Sequence, residues 1–150
     1  MYDYLDRPIG SLDEGSRFFI WSVRGWVQSL SERRCPPSVL GPTFARSDLS
    51  DALPHFHMAM MALNRDGIGR LGFGSLGCPH VSEAEAVLLS LVRLLGTGRS
   101  QAAAAAIPML VREEAVTILN RALTTVAILF LARYPLPTPG AGLHNGVDGQ

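Results

Sequence analysis

Residues 82–96, SEAEAVLLSLVRLLG, combine a helix start, an apolar stripe and a helix stop. Ser82 and Glu85 have the spacing of a capping box, in which two side chains satisfy main-chain N–H groups at the start of a helix. Apolar residues then recur every three or four positions, which is the period of one helix face. Gly96 ends the pattern, so the stretch predicts an α-helix over residues 82–95.

The N-terminal part of the chain carries two further helical patterns. Ser11 and Glu14 repeat the capping-box spacing ahead of a second apolar stripe, which residues 35–37, Cys-Pro-Pro, bring to an end. A loop through residues 41–42, Gly-Pro, then leads to a second helix from about residue 50 to residue 64. A glycine-rich loop follows and connects this second helix to the helix over 82–95.

The last predicted helix, over about residues 109–134, is apolar around most of its circumference. A short alanine-rich turn that Ser100 caps precedes it. A helix of this kind is normally central to a bundle or lies in a dimer interface. We therefore expect an all-α, single-domain bundle of four or five helices over residues 1–134. Residues 135–150, rich in proline and glycine, are expected to form a disordered tail.

Composition limits the classes of function. The chain has 150 residues, 13 basic and 13 acidic, so no positive excess is available to bind nucleic acid. All the basic residues are arginine, which excludes a lysine nucleophile or a phosphate-loop lysine. Charged residues make up 17% of the chain, against about 25% in typical soluble domains. We therefore expect a second copy or a protein partner to cover part of the helix surface, as in a homodimer.

The expected location is the cytoplasm. The N-terminus lacks the basic and apolar regions of a signal peptide. The longest apolar stretch, residues 122–132, falls short of the roughly 20 residues that cross a membrane, so no membrane partner is expected. Two cysteines do not form a disulfide framework, and both thiols are expected to be reduced.

The strongest candidate for chemistry is Cys78-Pro79-His80, at the end of the glycine-rich loop. Five glycines lie between residues 67 and 77, which predicts tight bends or a close approach to the backbone. In an extended segment, Cys78 and His80 would point to the same side, as a thiol and imidazole do in a nucleophile–base pair or a metal site. The alternative is that Cys78 is a small buried residue and His80 belongs to a surface turn.

Metal and haem sites are two further interpretations of the same residues. Tetrahedral zinc would require Cys35, Cys78, His80 and one further histidine, His57, to converge from separate segments. Both cysteines precede proline, which is similar to the Cys-Pro motif of haem-responsive proteins, where the thiolate binds iron. No cofactor is expected from the sequence, and zinc and haem are the alternatives that these residue types permit.

Two other groups of charged residues are assigned structural roles. Arg17 and Arg24, seven positions apart, are expected to form a solvated or partner-facing edge of the first helix. Glu83 and Glu85 suit the positive end of a helix dipole. No acid–base pair suited to catalysis is visible, so we expect a protein without enzymatic activity.

The layout from residue 17 to residue 89 resembles a bacterial family of small helical proteins of unknown function. The matching pieces are Arg24, the segment 60–65 (MMALNR), Cys78-Pro79 and the pair Ser82 and Glu85. The resemblance implies an all-helical fold and brings no activity. The family's loop tends to hold several adjacent cysteines, whereas this chain has one there.

Two functional hypotheses follow from the sequence. The first is a non-enzymatic binding or regulatory module that acts through helix–helix association, by self-association or with a protein partner. The alternative is a thiol and imidazole site at Cys78-Pro79-His80 that serves redox sensing, metal binding or haem binding.

Overall fold

The computed structural model describes residues 3–69 and 72–136, in which six α-helices dominate. They are α1 (Glu14–Ser31), α2 (Pro36–Arg46), α3 (Leu53–Asp66), α4 (Glu83–Gly96), α5 (Ser100–Ala106) and α6 (Glu113–Arg133). Short 3-10 turns occupy Ile9–Ser11, Ser50–Ala52 and Ile107–Met109. The described residues contain no β-strand, so the all-α prediction is confirmed, with six helices where four or five were expected. Of the predicted tail, residues 137–150 lie outside the described residues.

Helices α3 and α6 run antiparallel. At one end Gly67 forms a bridge with Val111, and at the other the Nε of Arg133 donates to the carbonyl of Ser47 over 2.9 Å. Phe130 of α6 packs edge-on against aromatic rings from two other helices, Phe19 of α1 and Phe44 of α2. Helix α4 packs along α6 and is buried on most sides. The apolar last helix therefore occupies a central position.

The capping box at α4 is confirmed, and the one predicted at α1 is wrong. Ser82 accepts from the N–H of Glu85, and the Glu85 carboxylate accepts from the N–H of Ser82. Helix α1 is instead capped by Asp13, whose carboxylate accepts from the N–H and hydroxyl of Ser16. Ser11 is the last residue of the preceding 3-10 turn. The N-cap of α1 therefore lies two positions later than the sequence pattern indicates.

The loop predicted through residues 41–42 is wrong, because this segment lies inside α2. Cys35 is the N-cap and Pro36 occupies the first helical position, where a missing N–H costs nothing. Pro42 lies within the helix despite a typical cost of about 3 kcal/mol. Leu40 and Phe44 are fully buried on either side of it, so packing offsets the local penalty.

Candidate functional site

An ion pair between Arg24 of α1 and Glu85 of α4 is the most constrained polar feature of the molecule. The Nε of Arg24 donates to Oε2 of Glu85 over 2.8 Å, and Nη2 donates to Oε1 over 2.9 Å. The two side chains are 3% and 0% exposed. This two-pronged geometry matches the planar guanidinium to the carboxylate and fixes both side chains.

The remaining donors of Arg24 hold the end of the glycine-rich loop. Its Nη1 donates to the carbonyl of Cys78 over 2.7 Å, and its Nη2 donates to the carbonyl of His80 over 2.8 Å. Main-chain carbonyls in a loop need partners when they are removed from water. Arg24 supplies these partners from a helix, so the loop needs no strand or helix of its own at this point.

The carboxylate of Glu85 holds the same loop by its N–H groups. Oε2 accepts from the N–H of Gly74 over 2.9 Å, and Oε1 accepts from the N–H of Ser82 over 2.9 Å. Together, Arg24 and Glu85 bind four main-chain groups between residues 74 and 82. We refer to these two side chains and four main-chain groups as the loop clamp.

The loop clamp leaves no room for a side chain at position 74, so a glycine is required there. A Cβ built at this position would lie 2.6 Å from Nη2 of Arg24 and 2.9 Å from its Cζ. Real side chains do not approach so closely, and the guanidinium is tied by four hydrogen bonds. One glycine of the run thus permits the close approach that the sequence pattern predicts.

The loop clamp favours the charged forms of both partners. The hydrogen bond with Glu85 raises the pKa of Arg24, against the opposing effect of burial. Burial raises the pKa of Glu85, but hydrogen bonds from Arg24, Ser82 and Gly74 outweigh burial and lower it below its ordinary value. Both directions agree with an ion pair that stays charged in the folded protein.

Cys78 and His80 lie in the loop clamp, but their side chains do not pair. The half-buried thiol of Cys78 donates to the main-chain carbonyl of His80 over 3.5 Å. The side chain of His80 is exposed, and its main chain forms a bridge with Pro8. The thiol thus has the main-chain oxygen of His80 as its partner, where the sequence predicts the imidazole.

The other two predicted ligands lie in unrelated surroundings. Cys35 is exposed at the start of α2. On α3, Nδ1 of His57 accepts a hydrogen bond from Nε1 of Trp26 over 2.9 Å. Across residues 3–69 and 72–136, no three His, Cys, Asp or Glu side chains gather into a group that could hold a metal ion. The four-residue zinc site predicted from the sequence is therefore not assembled here.

The prediction that Arg24 lies on a solvated edge is wrong, since Arg24 is buried while Arg17 is exposed. Ile20, four positions before Arg24, lies on the same side of α1 and is buried. The apolar residue at this spacing is the sequence signal that this side of the helix faces the core. No local pattern identifies Glu85 as its partner.

A second surface of interest is the outward side of α6. We define the α6 outer face as the residues Glu114, Thr117, Ile118, Arg121, Thr125 and Ile128, which lie within about 100° of one another around the helix and are exposed except for the half-buried Thr125. Ile118 and Ile128 are 48% and 57% exposed. Within the described residues, neither Glu114 nor Arg121 has an ion-pair partner in its own chain. The face therefore offers apolar side chains and unpaired charges together.

Helix α6 is also unusually apolar for a helix that the rest of the protein covers only in part. Its most apolar 18-residue window has a mean hydropathy of 1.8, and 39% of that window is buried. Among the described helices it alone is long and apolar enough to cross a membrane, a property that core helices also share. Its packing against α3 and α4 accounts for one side of the helix and leaves the α6 outer face uncovered.

No family model matches this chain, and neither does any curated protein or solved structure.

Proposed function

We propose that this protein is a non-enzymatic binding module that acts through helix–helix association on the α6 outer face. The observation that carries the proposal is the exposure of Ile118 and Ile128 on a helix whose composition is that of a buried one. Removing such side chains from water stabilises an association by roughly 25 cal/mol per Å² of apolar surface. The proposed location of the protein is the cytoplasm of a bacterial cell.

The composition of the α6 outer face supports a protein partner. Arg121 lies in the middle of the face, and a charge at that position is costly in a lipid bilayer. Threonines beside the two isoleucines permit a second helix to approach closely. Apolar side chains together with an arginine are typical of protein interfaces, in which arginine is enriched.

The proposal is tested by light scattering coupled to size-exclusion chromatography, with an environment-sensitive apolar dye as a second probe. We expect either a mass above the 16.2 kDa of one chain or dye binding to a monomer. The double change Ile118→Gln and Ile128→Gln should abolish whichever signal is seen. Met58→Gln is the matched control, because Met58 is 49% exposed on α3, outside the face. A monomer that binds no dye would contradict the proposal.

A second candidate function, redox sensing through Cys78, is favoured by the half-buried position of its thiol in the loop clamp, where it donates to the carbonyl of His80 over 3.5 Å. The sulfur would attack a peroxide, break the O–O bond and become a sulfenic acid, while the released hydroxide takes up a proton to form water. Because Arg24 binds the carbonyls of Cys78 and His80, such a change would alter the loop clamp directly.

This second candidate is tested with the Cys35→Ser variant, which leaves Cys78 as the sole thiol. Stoichiometric peroxide should add one oxygen to Cys78, as mass spectrometry detects, and should increase amide hydrogen exchange at residues 74 and 82. Unmodified Cys78 after prolonged exposure would exclude this function.

A further inference from the structure

We infer that the partner of the α6 outer face is a second copy of the same chain, packed antiparallel about a two-fold axis beside Ile118. This inference rests on the proposed function and specifies its partner. It follows from the order of charged and apolar residues along the face.

Glu114 and Arg121 make the face complementary to itself in charge. They are seven residues apart, which places them on one side of the helix, about 10 Å apart along its axis. Halfway between them lies the boundary of Thr117 and Ile118. A two-fold axis at that point brings Glu114 of one copy opposite Arg121 of the other, and the reverse pair forms at the same time.

The apolar residues share this centre of symmetry. Ile118 of each copy meets its equivalent close to the axis. In the same register, Ile128 of one copy lies level with the turn Ile107–Met109 of the other, where Met109 is 77% exposed. The charged pair and the contact between the two copies of Ile118 agree on a single antiparallel register.

A parallel arrangement lacks this agreement. There each residue would face its own equivalent, so Glu114 would meet Glu114 and Arg121 would meet Arg121. Like charges placed opposite each other oppose association. The charges of the α6 outer face thus select the antiparallel orientation, while its apolar residues supply most of the attraction.

Charge reversal tests the pairing. Glu114→Arg and Arg121→Glu should each raise the dissociation constant of the dimer by about tenfold, since each puts like charges at both symmetric contacts. The double variant should restore the affinity, because the pair is re-formed with its signs exchanged. Glu113→Arg is the matched control, as Glu113 is exposed beside Glu114 and outside the defined face. Affinity is measured by sedimentation over a concentration series.

Cross-linking tests the axis in a Cys35→Ser, Cys78→Ser background. Ile118→Cys should form an intermolecular disulfide readily, whereas Ile128→Cys should not, because these positions lie far from the axis. A dimer in which Ile128→Cys cross-links, or in which the double charge reversal fails to restore affinity, overturns the pairing and leaves the proposed function standing. A monomer whose dye binding depends on Ile118 and Ile128 also overturns the pairing alone. A monomer without dye binding overturns both.

Discussion

Arg24 and Glu85 are 61 positions apart in the chain, and they meet in a two-pronged ion pair that is closed to solvent. The pair joins α1 to α4, and among the described residues its four further hydrogen bonds go to the main chain of the segment between α3 and α4. Its role is thus to fix a loop that lacks regular structure, and the expected effects of substitution follow from that role.

Arg24→Ala is expected to lower the free energy of unfolding by about 3–5 kcal/mol, because it leaves the Glu85 carboxylate buried without its partner. Urea denaturation measures the change. Arg17→Ala is the matched control on the same helix, since Arg17 is exposed and should change stability by at most about 0.5 kcal/mol.

Should Arg24→Ala fail to fold, Arg24→Lys provides a milder comparison. Lysine keeps the charge and loses the planar fork that reaches two carbonyls and a carboxylate at once. We expect it to fold with reduced stability. Equal stability of Arg24→Lys and the wild type would show that the charge alone matters.

Gly74→Ala is expected to cost about 1–3 kcal/mol, as overpacking does in other well-packed sites. The added methyl would lie 2.6 Å from Nη2 of Arg24, which is held on its other sides by the loop clamp. Gly72→Ala, two residues earlier, meets no atom within 4 Å and serves as the control. Thermal unfolding measures the stability of both variants. Equal unfolding midpoints for Gly74→Ala and Gly72→Ala would contradict this account.

His57 is expected to make stability depend on pH. Burial holds its pKa below the ordinary value, and Nδ1 accepts from Trp26 only while the imidazole nitrogen is unprotonated. The unfolded chain takes up a proton near pH 6.5, before the folded protein does. The contribution of His57 is therefore complete above about pH 6.5 and is lost as the pH falls towards the folded pKa.

The measurement is the free energy of unfolding between about pH 5 and pH 7.5, where one such group changes it by at most about 1.4 kcal/mol per pH unit. His57→Gln keeps an acceptor for Trp26 and should reduce this slope. His55→Gln, on the same helix two positions earlier, should retain it. A slope that survives in His57→Gln would assign the effect to another group.

Cys35 is expected to be alkylated at lower pH than a free thiol. The hydroxyl of Ser38, and then its main chain, favour the thiolate and lower the pKa of Cys35. In a Cys78→Ser background, the rate of reaction with iodoacetamide should reach half its maximum at a lower pH than in a short unstructured peptide that contains one cysteine. Ser38→Ala should move this midpoint upward, whereas Ser31→Ala should not. An unchanged midpoint in Ser38→Ala would remove Ser38 as the cause.

Much of the fold could be predicted because its signals are local. The capping box of Ser82 and Glu85 and the period of the residues after it define α4 within a few positions. Helix α2 was missed because Gly41 and Pro42 locally favour a loop, and only the burial of Leu40 and Phe44 overrides them. The start of α1 was misplaced because Ser11 and Asp13 both offer a cap, and the sequence pattern does not choose between them.

The sequence predicted where the candidate site lies but not which side chains form it. The glycine run pointed correctly to a close backbone approach, which occurs at Gly74. The approaching group, Arg24, comes from a helix about fifty residues earlier, and no periodicity encodes such a pairing. Adjacency in sequence suggested that Cys78 and His80 act together, but side-chain direction depends on the bends of the loop.

The loop clamp also makes the protein suited to carry foreign sequence. Two helical side chains determine the path of the loop at residues 74, 78, 80 and 82, so Ser75, Leu76 and Gly77 contribute no hydrogen bond to Arg24 or Glu85. Leu76 is exposed, and within the described part of the loop the turn there has a single main-chain hydrogen bond, from the N–H of Cys78 to the carbonyl of Ser75. A peptide inserted after Leu76 would give up that one bond and leave the helical core intact. The chain is in this sense a small display scaffold whose insertion point is anchored at both ends.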